Sequence, residues 1–405
     1  MQITRHYKYK LKPTREQEYL FRECAGVCRL VYNLAREQRR IWGKSHGCNF
    51  HTAAADLKDL RREFDFVGAV SQTAQQQALK DLDKAFQSFF AGRASFPSPR
   101  KKFVNDSFRF VGREIKIEKL NRRWSQVKLP KIGWVKMRLS RPVQGQIRNA
   151  TVKRDALGWH ISICTMREIK DQAPIKRACG VDRGVTVPAM TSDGEAFYMP
   201  DELSKWERRR RKVQRTASKR KRGSKRHAKA MRRASRISSK ISRIRDQWQH
   251  ETALKLAKIY GVVVLEDLRT KNMTRSAKGS VEEPGRMVKQ KSGLNRSILN
   301  VGWFGLQMKL KYKLEERGGH LQLVDPKHTS QCCSACETVD NNSRKSQALF
   351  LCTSCGFHAN ADHNAAVNIL RRGSTPSGYL SVSTDVELGG LGLSSAETST
   401  TRQAA

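Results

Sequence analysis

Two CxxC pairs, Cys333-x2-Cys336 and Cys352-x2-Cys355, stand fifteen residues apart. A CxxC turn places two thiolates on one metal, and zinc takes four ligands in a tetrahedron, so the spacing predicts one structural zinc ion. Four thiolates leave no position for water, so such an ion braces a fold and does no chemistry. Cys332 could stand in for Cys333, but the x2 spacing favours Cys333. His358 and His363 are alternative ligands, read as local or nucleic-acid contacts once four thiolates are present. The scattered cysteines, Cys24, Cys28, Cys48, Cys164 and Cys179, fit a reducing compartment better than a disulfide scaffold.

Charge narrows the partners. The chain of 405 residues carries 79 Lys and Arg against 37 Asp and Glu, a net charge of +42. A compact chain so charged repels itself unless a polyanion is near, which points to DNA or RNA. Residues 208–245 concentrate the effect, with 19 Lys or Arg in 38 positions and no acid. Ala, Met and Ile recur there at helical spacing, which predicts a long helix or a helical hairpin turning at KRKRGSKR. No apolar run reaches the roughly 18 residues of a spanning helix, and MQITRHYKYK lacks the apolar core of a signal peptide. A cytoplasmic, nucleoid-associated protein with no membrane partner is expected.

The remaining pattern divides the chain. Residues 1–10 alternate as a first strand, and 11–100 read as helices over 15–41, 51–65 and 70–91. FPSPRKKF marks a boundary, after which 101–175 reads as short strands of a small β-barrel or sandwich that could include the first strand. Residues 281–296 read as a polar loop, 298–319 as one amphipathic helix stopped by Gly-Gly, and 320–325 as a strand. The small, polar residues of 373–405 read as a disordered tail.

Acids at three places along the chain stand out. Asp182 lies inside an apolar strand, where an unpaired carboxylate is costly. IYGVVVLEDL reads as a buried parallel strand ending in Glu266 and Asp267. Asp362 begins the helix DHNAAVNILRR, where capping is the simplest role for it. Two adjacent strands and a helix tip can bring three carboxylates together. Acids so converged in a basic chain suit divalent ions that clamp a phosphodiester.

GVDRG, VVVLEDL and CCSAC…CTSCGFHANADHNAAVNIL, together with SFRF, VKLPKIGW, KRKRGSKR, LEDLRTKNM and NRSILNVGW, resemble the TnpB family, the OrfB proteins of IS200/IS605-type transposons related to Cas12 nucleases. The likeness runs in family order over roughly residues 5–372. It implies a multidomain α+β protein. A split RNase H-like (RuvC-type) α/β nuclease domain would span 176–326, with a basic helical segment at 205–250. A zinc ribbon would be inserted at 327–357 and followed by a final helix at 358–372. A helical recognition lobe (11–100) and a β-barrel wedge domain (101–175, with the first strand) would precede them. It assigns the catalytic, Mg²⁺-binding roles to Asp182, Glu266 and Asp362, around two ions, with Asp267 only a neighbour, and the zinc to Cys333, Cys336, Cys352 and Cys355.

The resemblance also implies a guide RNA from the transposon end, one protein copy per guide, and a double-stranded target bearing a short adjacent motif, both strands being cut at one site. Gln76, Gln77 and Lys80 are the expected contacts to the motif duplex. Arg208, Arg209, Lys219, Arg220, Lys221, Arg222, Lys225 and Arg226 are expected to border RNA or heteroduplex. Residues 269–296 are expected to act as a lid. A non-cleaving nucleic-acid-binding regulator needs none of the three acids, and a DNA-joining transposase does not call for the ribbon before Asp362. Glu337 and the Cys332-Cys333 doublet depart from the family, which often has Gly after the first CxxC.

Overall fold

The computed structural model describes residues 2–43, 47–104, 106–168 and 175–374. The chain divides into two compact units, Met1–Lys170 and Asp171–Ala405. The expected tail lies, from residue 375 on, outside the described residues.

In the first unit, β1 (Gln2–Lys12) leads into α1 (Arg15–Trp42), which is opened by a capping box between Thr14 and Gln17. Then come α2 (Phe50–Glu63), the single turn α3 (Asp65–Gly68) and α4 (Gln72–Phe90). Six strands follow: β2 (Ser107–Val111), β3 (Lys116–Lys119), β4 (Trp124–Leu129), β5 (Gly133–Arg138), β6 (Gln146–Asp155) and β7 (Gly158–Glu168). They form one antiparallel sheet, ordered β2-β6-β7-β1-β5-β4-β3, with the N-terminal strand at its centre. Strand alternation explains that placement. Tyr7, Tyr9 and Leu11 are buried, while Lys8, Lys10 and Lys12 face outward. The helices share this core rather than forming their own, for Phe21 of α1 packs edge-on against Phe108 of β2 and Trp159 of β7, at 5.6 and 5.0 Å.

The second unit is built on a five-stranded sheet ordered β10-β9-β8-β11-β12. Its strands are β8 (Ala178–Asp182), β9 (Ala189–Thr191), β10 (Ala196–Phe197), β11 (Val262–Glu266) and β12 (His320–Val324). β8, β11 and β12 run parallel. Between β10 and β11 the chain makes a helical hairpin, α5 (Asp201–Ser218) and α6 (Lys225–Ile259). Between β11 and β12 lie the short α7 (Thr270–Met273), then α8 (Val288–Val301) and α9 (Trp303–Glu315). The run VVVL before Glu266 is apolar throughout because both faces of the sheet are covered. Val263 and Leu265 pack with Leu256 of α6 and Leu310 of α9, whereas Val262 and Val264 pack with Ile369 of the last helix, α10 (Ala361–Ser374).

Two expectations need correction here. Residues 288–296, read as loop, are the first turns of α8. The single helix expected over 298–319 is broken at Gly302, which adopts φ 70° and ends one helix while starting the next. Gln249 of α6 enforces the break. Its Nε2 donates to the carbonyls of Val301 and Gly302 at 3.0 and 2.9 Å, and a Cβ at position 302 would come within 2.9 Å of that nitrogen.

Candidate active site and zinc ribbon

The parallel pairing of β8 and β11 sets Val181 opposite Leu265, so Asp182 and Glu266 leave neighbouring strands at the same, carboxyl end of the sheet. Ligands of open α/β sheets bind at that end. α10 reaches it by lying close against β8. A Cβ on Gly180 would fall 2.2 Å from the carbonyl oxygen of Ala366, so glycine is what allows the approach. The tip of α10 is capped by Asn360, whose Oδ1 accepts from the backbone N–H of Asp362 and His363 at 3.0 and 3.1 Å. That corrects the capping reading of Asp362, whose buried carboxylate is bonded to Arg344 and does not cap the helix.

The electrostatics tie the three acids together. Burial, then the charges of Glu266 and Asp362, push the carboxyl of Asp182 up to about 7. Burial raises Asp362 as well, opposed by the Arg344 guanidinium. Arg183, buried beneath the acids, donates from Nη2 to the backbone carbonyl of Glu266 and from Nη1 to Gln307 at 3.1 Å. Thr329 donates from Oγ1 to Glu266 Oε1 at 2.6 Å. Arg344 donates from Nη2 to Asp362 Oδ1 at 3.1 Å. Trp303, at the start of α9, donates from Nε1 to the Gly184 carbonyl at 3.1 Å and fixes the turn after Asp182. Burial first, and the neighbouring acids second, favour the neutral form of Asp182, a condition that a divalent cation bound there would relieve. Asp267 is exposed, and its backbone N–H donates to the Val324 carbonyl at 2.8 Å.

The ribbon carries the second cluster. The sulfurs of Cys333, Cys336, Cys352 and Cys355 all lie within 4.8 Å of one another. No other group of three or more metal-ligating side chains among the described residues is so tight, and the three acids are more widely spaced. The Cys333–Cys355 and Cys336–Cys352 pairs are 3.7 and 3.6 Å apart. A tetrahedron of sulfurs about 2.3 Å from zinc has edges of about 3.8 Å, so the set fits zinc and is far from disulfide distance. Cys332 stays outside, with its Sγ 3.4 Å from the Glu337 carbonyl. Neither histidine belongs to the sulfur cluster: His358 is exposed, and His363 Nε2 lies 2.9 Å from the Ser192 carbonyl oxygen. The strand pairing of the ribbon, β13 (Leu349–Leu351) with β14 (His358–Asn360), straddles the second CxxC. Phe350, fully buried with Cys333, Cys352 and Ala361, explains this, because it needs the start of α10 as its wall.

Comparison with known proteins agrees with this architecture. Three family models match: "Helix-turn-helix domain" over residues 1–48, "Probable transposase" (OrfB of IS605) over 161–277, and "Cas12f1-like, TNB domain" over 303–369. A candidate RNA-guided DNA endonuclease of Escherichia coli (strain K12), InsQ, is 36% identical over 372 residues, covering 91% of this chain and 92% of its own. The chain belongs to the TnpB family. A second relative, a candidate RNA-guided DNA endonuclease of Streptomyces pristinaespiralis, is 29% identical over 92% of this chain and 90% of its own. Among solved structures, the protein of a Cas12f1–sgRNA–target DNA complex matches with a TM-score of 0.59 and 17% identity, over 90% of this chain and 84% of that one. The fold is that of the RuvC-type nucleases with a zinc ribbon.

Glu337, where TnpB proteins often have Gly, keeps the glycine conformation, at φ 62°. Its carboxylate pairs with Arg371 of α10 at 3.0 Å, a contact glycine could not make. Of the residues expected at nucleic acid, Arg208, Arg209, Lys219, Lys221, Arg222, Lys225 and Arg226 are exposed around the α5–α6 hairpin. Arg220 is half-buried and donates from Nη1 to the Arg226 carbonyl at 2.8 Å. A cavity of about 750 Å³ there is lined by Arg220, Arg226, Lys229, Arg232, Arg233 and Arg236 with no acid. In the other unit, Gln76 and Gln77 are half-buried on α4, and Lys80 is exposed with its Nζ 5.5 Å from the Phe50 ring centre. Sequence reasoning missed Arg183, Thr329 and Arg344. Arg183 at least had a signal, as a cation inside a strand-end motif, next to an acid.

Proposed function

We propose that this chain is an RNA-guided DNA endonuclease of a transposable element. It binds a guide RNA derived from the transposon end, recognises a short motif beside its target, and hydrolyses both strands at one site. The observation that carries the reading is the convergence of Asp182, Glu266 and Asp362 at the carboxyl end of the parallel strands, in a chain of net charge +42. A phosphodiester brought there needs its own charge and that of the acids offset together.

In this reading Asp182, Glu266 and Asp362 hold two Mg²⁺. When bound, the pair would supply an activated water and stabilise the leaving oxygen. The chain's own residues prepare that site. Arg183 holds the Glu266 backbone from within the protein, and Trp303 keeps the turn after Asp182 in place. The cations of the α5–α6 hairpin would line the nucleic-acid backbone without reading its sequence, a task that base pairing to the guide performs. Gln76, Gln77 and Lys80 are our candidates for reading the adjacent motif, since Gln suits adenine and Lys guanine edges. One structural zinc holds the ribbon. One protein copy per guide and association with the nucleoid complete the reading.

The test is guide-dependent cutting. RNA that copurifies with the protein is sequenced, and its spacer is matched by a supercoiled plasmid library with randomised flanking bases. Mg²⁺-dependent double-strand cutting next to one flanking motif is expected. Asp182→Asn should abolish cutting and keep the RNA. RNA-loaded protein that cuts no member of the library with Mg²⁺ present refutes the proposal.

A further inference from the structure

We propose that Thr329 is the positioning residue for Glu266, setting its carboxylate for metal binding and linking it to the zinc ribbon. The inference rests on the metal-dependent nuclease reading above. Thr329 lies four residues before Cys333 and is 2% exposed. Its hydroxyl has a single proton and two acceptors in range, Glu266 Oε1 at 2.6 Å and the Pro326 carbonyl at 3.0 Å. The nearer acceptor is a carboxylate, and charge-assisted bonds are the shorter and stronger ones.

The effect is to fix a side chain that otherwise has three rotatable bonds. Arg183 holds Glu266 by its backbone carbonyl, and Thr329 holds the far end by one carboxylate oxygen. The second oxygen and the remaining lone pairs are left for a cation. Losing a group that orients a ligand in this way typically costs about 10–100-fold in metal affinity.

Thr329 is itself held by the elements that carry the zinc and the third acid. Asn368 of α10 donates from Nδ2 to the Thr329 carbonyl at 3.0 Å and to the Cys332 carbonyl at 2.7 Å. Asn364, one turn earlier, donates to the Cys332 carbonyl at 2.8 Å and accepts from the Ser334 N–H at 2.9 Å. Both asparagines are buried, and a buried amide is costly unless partnered. Two of them on one face, with their side-chain N–H groups donated to the knuckle and its approach, make a rigid joint. A purely local role for Thr329, closing its own turn onto Pro326, would not need its hydroxyl on Glu266.

The test uses the full-length, guide-loaded protein and Mn²⁺ as the probe, with binding followed by electron paramagnetic resonance. Thr329→Val is expected to keep its zinc and its guide, to bind Mn²⁺ about ten-fold more weakly, and to cut slowly at low metal but recover at high metal. Thr329→Ser is expected to match the wild type. Because Thr329 acts through Glu266, T329V should add nothing to the Mn²⁺ defect of Glu266→Gln. Should T329V lose its zinc, Thr329→Ala, which removes the hydroxyl and inserts nothing, replaces it with the same expectations. Wild-type Mn²⁺ affinity in the hydroxyl-less variant overturns this inference alone, as does an equal defect in T329S or a full additive defect on E266Q. A wild-type protein that binds no Mn²⁺ overturns the nuclease reading and this inference with it.

Discussion

Arg344 of the zinc ribbon donates from Nη2 to Oδ1 of Asp362 at 3.1 Å, so the ribbon supplies the countercharge of the acid that follows it. Asp362 has 8% of its side chain exposed and Arg344 27%. Removing one partner of a buried pair leaves a charge without compensation. Without the guanidinium, burial alone acts on Asp362 and raises its carboxyl further, so less of it is ionised near neutrality. We therefore expect Arg344→Ala to lose on the order of 1–2 kcal/mol of stability, less than the roughly 3–5 kcal/mol of a fully buried pair because Arg344 reaches solvent. Cutting should slow, and Arg344→Lys should recover part of both losses. Thermal unfolding and single-turnover cutting check this, and a variant that unfolds and cuts as the wild type does would contradict it.

Gly180 sits where α10 crosses β8, and a Cβ there would meet the Ala366 carbonyl oxygen at 2.2 Å and the Leu370 nitrogen at 2.5 Å. Backbone on both sides cannot yield as a side chain could. Gly180→Ala is expected to cost about 1–3 kcal/mol, as overpacking does, and to shift Asp362 away from Asp182. Cutting should fall by more than the loss of folded protein explains. Wild-type cutting by the folded fraction would show that α10 tolerates displacement.

The raised carboxyl of Asp182 gives the metal-free protein a pH dependence of known sign. A group whose folded value, about 7, lies above its ordinary value near 3.8 contributes stability that is present in acid and lost as pH rises through 7. The loss is on the order of 2 kcal/mol between pH 4 and 8, after allowing for partial exposure. Asp182→Asn should remove that component, so metal-free D182N should outlast the wild type at pH 8. Mg²⁺ should stabilise the wild type at pH 8 and D182N much less. Melting curves from pH 5 to 8, with and without Mg²⁺, decide it. A wild type and D182N that differ by the same amount at every pH would rule out Asp182 as the source.

How far the sequence reached can be judged from these residues. The apolar run before Glu266, the strand around Asp182 and the CxxC spacing are local signals, and each is read from a few neighbours. The hairpin turn at Gly223 was equally local, as a glycine inside a basic run at φ 84°. What lay beyond reach depends on distant partners. The break at Gly302 is made by Gln249, more than fifty residues earlier, and an intact amphipathic pattern hid it. Asn360 displaced Asp362 as the cap, although both were plausible caps by type. Thr329 and Arg344 are ordinary turn and ribbon residues in sequence, and only the packing of the ribbon on α10 brings them to Glu266 and Asp362.

The α5–α6 hairpin should set the salt dependence of guide binding. Its tip cavity is lined by six cations and no acid, so phosphate contacts there would release counterions. Each cation that meets a phosphate on single-stranded nucleic acid contributes about 0.7 to the slope of log affinity against log salt. Changing Arg226, Lys229 and Arg233 to Gln is expected to lower that slope by about 2 and to weaken binding uniformly across guide sequences. Filter binding from 50 to 300 mM salt measures it. An unchanged slope would mean that the hairpin does not contact the guide.

Zinc should be required for cutting even though it takes no part in chemistry. The ribbon has a small core, Phe350 with Cys333, Cys352 and Ala361, and its hairpin is only three residues a side. So little buried surface does not hold a fold without its metal. Stripping the ion with a strong chelator, or Cys352→Ser, is therefore expected to loosen residues 330–357 and expose them to protease. Both anchors on the acids go with them, because Arg344 lies inside that segment and Thr329 borders it. Cutting should drop at least ten-fold, in proportion to zinc content measured by atomic absorption. Guide binding should persist, since the basic hairpin belongs to a separate element. Adding zinc back should restore the chelated wild type and leave C352S impaired. A zinc-free protein that resists protease and cuts at the full rate would show that packing on α10 alone holds the ribbon in place.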